Sequence, residues 1–368
     1  MRLGPLPALL ALACACGDNK ATQTAVDASA LDAAPPPIDA AAPPDAFGPT
    51  TLFDTGLCVD HACTQISPGV TAYAPRWTLW ADGATKRRWF QLPAGAQIDT
   101  SDMDHWQFPV GTRFWKEFTA FTGSDGESGS AVRVETRFIE RIGSGDTQDD
   151  WFYVAFQWDL TQDEAIAEPD GVPDADGTFH DIPSRADCRS CHENLVPTRI
   201  LGFGALQLDA PGSDGDADLA SLVAAGTLTQ PPTAGSGGSG SPYFPFEATG
   251  SAQDALGYLH ANCGHCHNAT SPLQGTTPLQ LRLTVGTVAD TASTPTYTTA
   301  VGVTTATLVN GDSILVDPGQ PDMSVLIARF EAVPGSSTHM PPLATKIEDG
   351  SGDATLRSWI SGMGSGSD

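Results

Sequence analysis

The sequence predicts a multidomain α+β protein: an antiparallel β domain, a sandwich or jelly roll, followed by mainly helical segments. Three observations predict it. Seven of the eight tryptophans lie between Trp77 and Trp158, in short aromatic or alternating runs broken by glycine and serine. Past residue 245 the apolar positions change to helical spacing, with Leu256, Leu259 and Cys263 on one face and Leu356, Trp359, Ile360 and Met363 on another. Between these regions a Gly/Ser run at 234–241 reads as a flexible linker.

The chain begins with features of export. Arg2 precedes an apolar run at 3–13 that is too short to span a bilayer. Ala-Cys-Ala-Cys-Gly-Asp follows at 13–18, the small-residue context of a bacterial lipoprotein signal covering 1–16, with Cys16 as the acylated residue and Cys14 as its rival. An ordinary cleaved secretory signal is the other reading; both place the mature protein outside the cytoplasm, in the periplasm or as a cell-envelope lipoprotein. Residues 17–50 are rich in Pro, Ala and Asp and lack periodicity, so they read as a disordered tether. No later stretch has the length and hydrophobicity of a transmembrane helix, so the expected membrane contact is the lipid anchor alone. With 18 basic against 44 acidic residues the net charge is −26. That excludes nucleic acid, which needs a basic surface, and leaves room for a basic protein partner.

The β domain is expected over 51–182. Val132, Val134, Thr136 and Phe138 alternate with charged or polar residues, the period of a half-buried strand. The run WFYVAFQW at 151–158 reads as a strand buried on both faces. Residues 106–118 read as two strands around a Pro-Val-Gly-Thr turn. The aromatics read as core, with a sugar-binding face as the sharper alternative. Cys58 and Cys63 form a small-loop disulfide in an oxidising compartment. His61 between them has no further ligands nearby to make a metal site. The acidic stretches at 170–177 and 214–218 resemble calcium loops, but neither completes the EF-hand pattern, so both read as solvated loops.

Two stretches carry the chemistry: Cys188-Arg-Ser-Cys191-His192 and Cys263-Gly-His-Cys266-His267. Both are C-x-x-C-H, the c-type haem attachment pattern. Two thiols at this spacing can each form a thioether to one porphyrin, and the adjacent histidine then lies under the iron. Cys188, Cys191 and His192 would hold one haem in a segment at 183–232; 233–245 is the linker. Cys263, Cys266 and His267 would hold the second in a cytochrome c-like domain at 246–363, after a helix opening on a capping box at Ser251 and Asp254. Its second axial ligand is expected to be Met340, which opens a stiff Met-Pro-Pro loop. Met323 is the rival. For the iron held by His192, the candidates are His180, His105, Met103 and His260, or an open position.

With these residues in place, the chain resembles a poorly characterised family of exported bacterial dihaem c-type cytochromes. The resemblance rests on LWADGATK at 79–86, FPVGT at 108–112, VETR at 134–137, the first C-x-x-C-H with LGF at 201–203 and Gln207-Leu208, and the second C-x-x-C-H with Met-Pro-Pro. It covers roughly residues 75–363. The chain departs from the family pattern at Ala217-Asp218-Leu219, where an Asn-Gln-Leu-like segment is expected. The resemblance implies two covalently attached haems and no particular substrate.

The leading expectation is therefore an electron carrier between a redox partner protein, a dehydrogenase or another cytochrome, and an acceptor. The alternatives are a dihaem, peroxidase-like enzyme using an open position on the first iron, and a β-domain binding module with accessory haems. A zinc site shared by the two C-x-x-C pairs ranks last, because zinc ribbons bring their pairs closer in sequence.

Overall fold

Alternation across the pleat decides the centre of the molecule. In the computed structural model, which describes residues 48–212, 215–233, 242–343 and 345–364, six strands form one antiparallel meander in chain order. They are β1 (Thr71–Ala72), β2 (Thr85–Gln91), β3 (Arg113–Phe121), β4 (Ala131–Arg141), β5 (Trp151–Trp158) and β6 (Ala165–Ala167). A short hairpin of β7 (Thr304–Val309) and β8 (Asp312–Ile314) stands apart from the sheet. The described residues all fall within one unit, Phe47–Asp368. The proposed signal, Cys16 and nearly all of the tether lie outside the described residues.

The register sorts the aromatics into two layers. Trp89, Trp115, Phe138 and Val154 are successive cross-strand partners. They pack with Phe156, Trp158, Leu52 and Leu57 into one core. The segment carrying the Cys58–Cys63 disulfide covers this face. Its buried indoles are satisfied: Trp115 Nε1 donates to Thr55 Oγ1 (2.8 Å) and Trp158 Nε1 to Thr136 Oγ1 (3.0 Å). On the other face, Phe90, Phe114, Ile139 and Tyr153 are register partners. Phe203, from the segment after the first C-x-x-C-H, inserts among Tyr73, Phe90 and Phe114 at centroid distances of 4.8, 4.9 and 5.2 Å.

The expected fold class is overturned. Among the described residues no second sheet packs on the first, so the sandwich or jelly roll is not formed there; loops and short helices cover both faces. Among the described residues no mainly helical haem domain follows, and only 25% of the structure is helical. Seven helices are present among the described residues: α1 (Arg185–His192), α2 (Ala205–Leu208), α3 (Leu219–Ala224), α4 (Gly250–Asn262), α5 (Pro295–Ala300), α6 (Val325–Phe330) and α7 (Gly350–Gly362). Only α4 and α7 exceed eight residues. The Thr-, Pro- and Gly-rich sequence between them favours turns over long helices.

α4 and α7 pack through Leu256, Leu259, Leu356, Trp359 and Ile360. Two glycines permit close approach. Gly257 leaves room for the Trp77 indole, and Gly352 for the Tyr258 ring. The loop before β2 fastens this pair to the sheet. Trp80 N–H donates to Asn262 Oδ1 (2.7 Å), Trp80 Nε1–H to the Ile347 carbonyl (3.0 Å), and Asp82 accepts from the Lys346 and Ile347 amides (2.8 and 2.9 Å). Asp174 and Asp181 grip Lys346 Nζ at 2.7 and 2.6 Å, and Asp218 caps α3, which gives these acidic residues structural work.

Residues 106–118 contribute one strand, not two, since only the part from Arg113 joins the sheet. α4 starts after Thr249, so Ser251 and Asp254 lie inside it and do not cap it. No described helix is long and apolar enough to cross a membrane.

Candidate functional site

The first C-x-x-C-H forms the end of α1. Ser184 caps the helix: its hydroxyl accepts from the Asp187 amide, and the Asp187 carboxylate accepts back from the Ser184 amide and hydroxyl (3.0 and 2.7 Å). Helical spacing then puts Cys188, Cys191 and His192 on one side of the helix, at i, i+3 and i+4. Arg185 ties α1 to β5, donating to the Tyr153 carbonyl (3.0 Å) with its guanidinium over Phe152.

His192 is oriented from outside its own helix. Its Nδ1–H donates to the Arg199 carbonyl at 2.6 Å. Arg199 has φ +56° and is anchored in turn by its guanidinium donating to the Asp146 carbonyl (2.6 Å). A proton fixed on Nδ1 leaves the Nε2 lone pair for a metal. Burial pushes the His192 pKa down to about 4, so the ring is neutral at pH 7.

The second stretch continues from α4. Cys263 ends the helix, and its carbonyl accepts from the amides of Cys266 (3.1 Å) and His267 (2.9 Å). The His267 carbonyl accepts from the Leu281 amide (2.8 Å). His267 Nδ1 is buried without a partner. Burial, then the Arg329 charge, lowers the His267 pKa. Met340 is half-buried in the loop after α6, and its N–H donates to the Arg329 carbonyl (3.0 Å). The methionine loop and His267 therefore share Arg329 as a neighbour. Met323 is 52% exposed.

The two stretches lie side by side. Asn268 donates its amide to the Asn194 carbonyl (3.3 Å) as well as to Gly264 and His265, and the Asn194 amide reaches Cys266 Sγ at 3.9 Å. All four cysteines are free. Burial raises their pKa values, to about 12 for Cys188 and Cys263 and about 11 for Cys266, so they stand as neutral thiols. Among the described residues no three or more His, Cys, Asp or Glu converge to hold a bare metal ion. What the C-x-x-C pairs present is paired free thiols next to a neutral histidine with Nε2 available, a donor set that fits covalent haem at the first stretch. The second has the same thiols and histidine, without an orienting partner on Nδ1.

The other expected residues fall as follows. Cys58 and Cys63 are joined in a disulfide. His61 pairs with Glu164 (2.7 Å) and stacks on Phe53. His180 donates from Nε2 to the buried Glu135 carboxylate (2.6 Å), and His105 donates from Nδ1 to Asp102 (3.0 Å). Met103 and His260 line one cleft with Phe203, Gln207 and Arg282. Trp89, Trp106, Trp115, Trp151 and Trp158 are all buried, which removes them from any sugar-binding face.

An adjoining cleft brings His260 together with residues that sequence reasoning missed: Arg88, Lys116, His265 and Arg282. The one signal for them was scarcity, since a chain with only 18 basic residues places three in one cleft. Comparison with protein-family models, curated proteins and solved structures gave no match to this chain.

Proposed function

We propose that this chain is an extracytoplasmic dihaem c-type cytochrome that passes electrons between a redox partner protein and an acceptor. One haem is attached at Cys188 and Cys191 with His192 as axial ligand; the other at Cys263 and Cys266 with His267, and with Met340 as its second ligand. The observation that carries this reading is the juxtaposition of two C-x-x-C-H stretches with all thiols free and His192 fixed to present Nε2. Haem, when bound, supplies one-electron chemistry. The chain's part is to hold and orient. The Arg199 carbonyl fixes the His192 tautomer, Asn194 and Asn268 set the spacing of the stretches, and Phe203 with Tyr153 forms an apolar wall.

A second reading has one supporting observation. Of the candidates for the other side of the first iron, His180 has Nε2 engaged with Glu135, and His260 accepts the Leu283 amide on Nδ1 (3.0 Å), which leaves its proton on Nε2. With those two nitrogens engaged, an open position, as a peroxidase-like enzyme would need, competes there only with Met103 and with His105, whose Nδ1 bond to Asp102 leaves Nε2 free. Visible spectra of the full chain from a c-haem-competent host test both readings. Reversible reduction with no consumption of added hydrogen peroxide is the electron carrier's result. Peroxide turnover is the enzyme's, and the absence of covalent haem bands would sink both.

A further inference from the structure

Many cations among the described residues are ion-paired. Arg113 meets Glu140, Arg137 meets Glu135, Arg133 and Arg87 meet Glu117, and Arg357 meets Asp322, Glu331 and Asp353. Arg88 and Lys116 are different. They are direct register partners on adjacent strands, and Lys116 is also the register partner of Arg137. Three cations thus stand in a row on one pleat face, where like charges opposite one another repel. One is neutralised by Glu135, which takes Arg137 in two bonds of 2.7 and 3.0 Å.

No carboxylate among the described residues pairs with Arg88 or Lys116. Arg88 is only 7% exposed and lines the cleft. An unpaired buried guanidinium is costly, so its retention needs a compensating charge. Arg282 faces the same cleft with Nε unpartnered. His260 adds a directed donor: its Nδ1 is occupied by the Leu283 amide, so the free nitrogen is Nε2–H. Burial and the repulsion of Arg88 and Arg137 depress the pKa of Lys116; burial lowers that of Arg282 to about 10, against the opposing pull of Asp104 and Asp102.

We propose that this cleft binds a carboxylate or a small oxyanion, held by Arg88, Lys116 and Arg282 with His260 donating from Nε2. Two sources share that chemistry: a propionate of a haem attached at the neighbouring C-x-x-C-H stretches, or a free anion. The site itself stands without the haem reading; only the propionate source rests on it.

The test uses the full chain as produced in a c-haem-competent host, with Arg88→Gln and Lys116→Gln as variants and Arg87→Gln, on the opposite face, as control. Acetate is the probe, titrated by calorimetry, and the midpoint potentials of any attached haem are measured in parallel. Acetate binding that both variants weaken by about tenfold or more identifies a free-anion site. No acetate binding, with one haem potential lowered in both variants and unchanged in Arg87→Gln, identifies a propionate. If acetate does not bind and no potential moves, or if it binds equally to wild type and both variants, the proposal is wrong. A chain without covalent haem removes the propionate source and leaves the acetate titration to decide.

Discussion

The two C-x-x-C-H stretches have the same pattern and are held by opposite means. The first ends an eight-residue helix whose residues are at most partly buried, and its histidine takes its orientation from the Arg199 carbonyl seven residues on. The second follows a 13-residue helix that buries Ala255, Leu256, Gly257, Leu259, His260 and Asn262, largely against α7, while its histidine has no partner on Nδ1. A five-residue motif therefore does not define its own environment. One copy borrows rigidity from the sheet and the loop after it; the other inherits it from helix packing.

That contrast can be broken most sharply at the thiols. Changing Cys188 and Cys191 together to Ser, or Cys263 and Cys266 together, is expected to remove one haem each and halve the haem stain per chain. A pair whose loss leaves the stain unchanged would not be an attachment site. Next comes the packing asymmetry. Trp359→Ala, which opens a cavity between α7 and α4, is expected to cost ~3–5 kcal/mol in urea unfolding.

Acid should act on the sheet at the buried Glu135, which pairs with Arg137 and His180. Burial alone would raise the Glu135 pKa, but Arg137 and His180 outweigh it and hold it below the ordinary 4.5. Its contribution is therefore complete above pH 4.5 and lost as the pH falls through the lower folded value. Thermal melts from pH 5 downward are expected to lose stability more steeply in wild type than in Glu135→Gln. Equal slopes would show that this pair does not couple to acid unfolding. The smallest expected effect is at the cap of α1: Ser184→Ala should cost ~1 kcal/mol, measured by the same urea titration.

Local patterns were legible in the sequence. Alternation at 132–138 and the aromatic run at 151–158 mark β4 and β5. Helical spacing found α4 and α7, with Leu356, Trp359 and Ile360 buried as the pattern requires. What covers those surfaces was not legible. A strand apolar on both faces does not reveal whether a sheet or loops will pack on it, so the sandwich expectation failed on both faces, at Leu52 and Leu57 on one and at Phe203 on the other. Two amphipathic helices likewise said nothing about the turns between them. The candidate site was legible as two motifs. Their contact through Asn194 and Cys266, and the cleft drawn from positions 88, 116 and 282, depend on long-range pairing that carries no local signature.

The central claim is that both stretches carry covalent haem. Intact-mass spectrometry of the denatured full chain from a c-haem-competent host reads this directly. The account predicts a mass increase of two haems that survives unfolding, and an unmodified chain with four titratable thiols at Cys188, Cys191, Cys263 and Cys266 would contradict it.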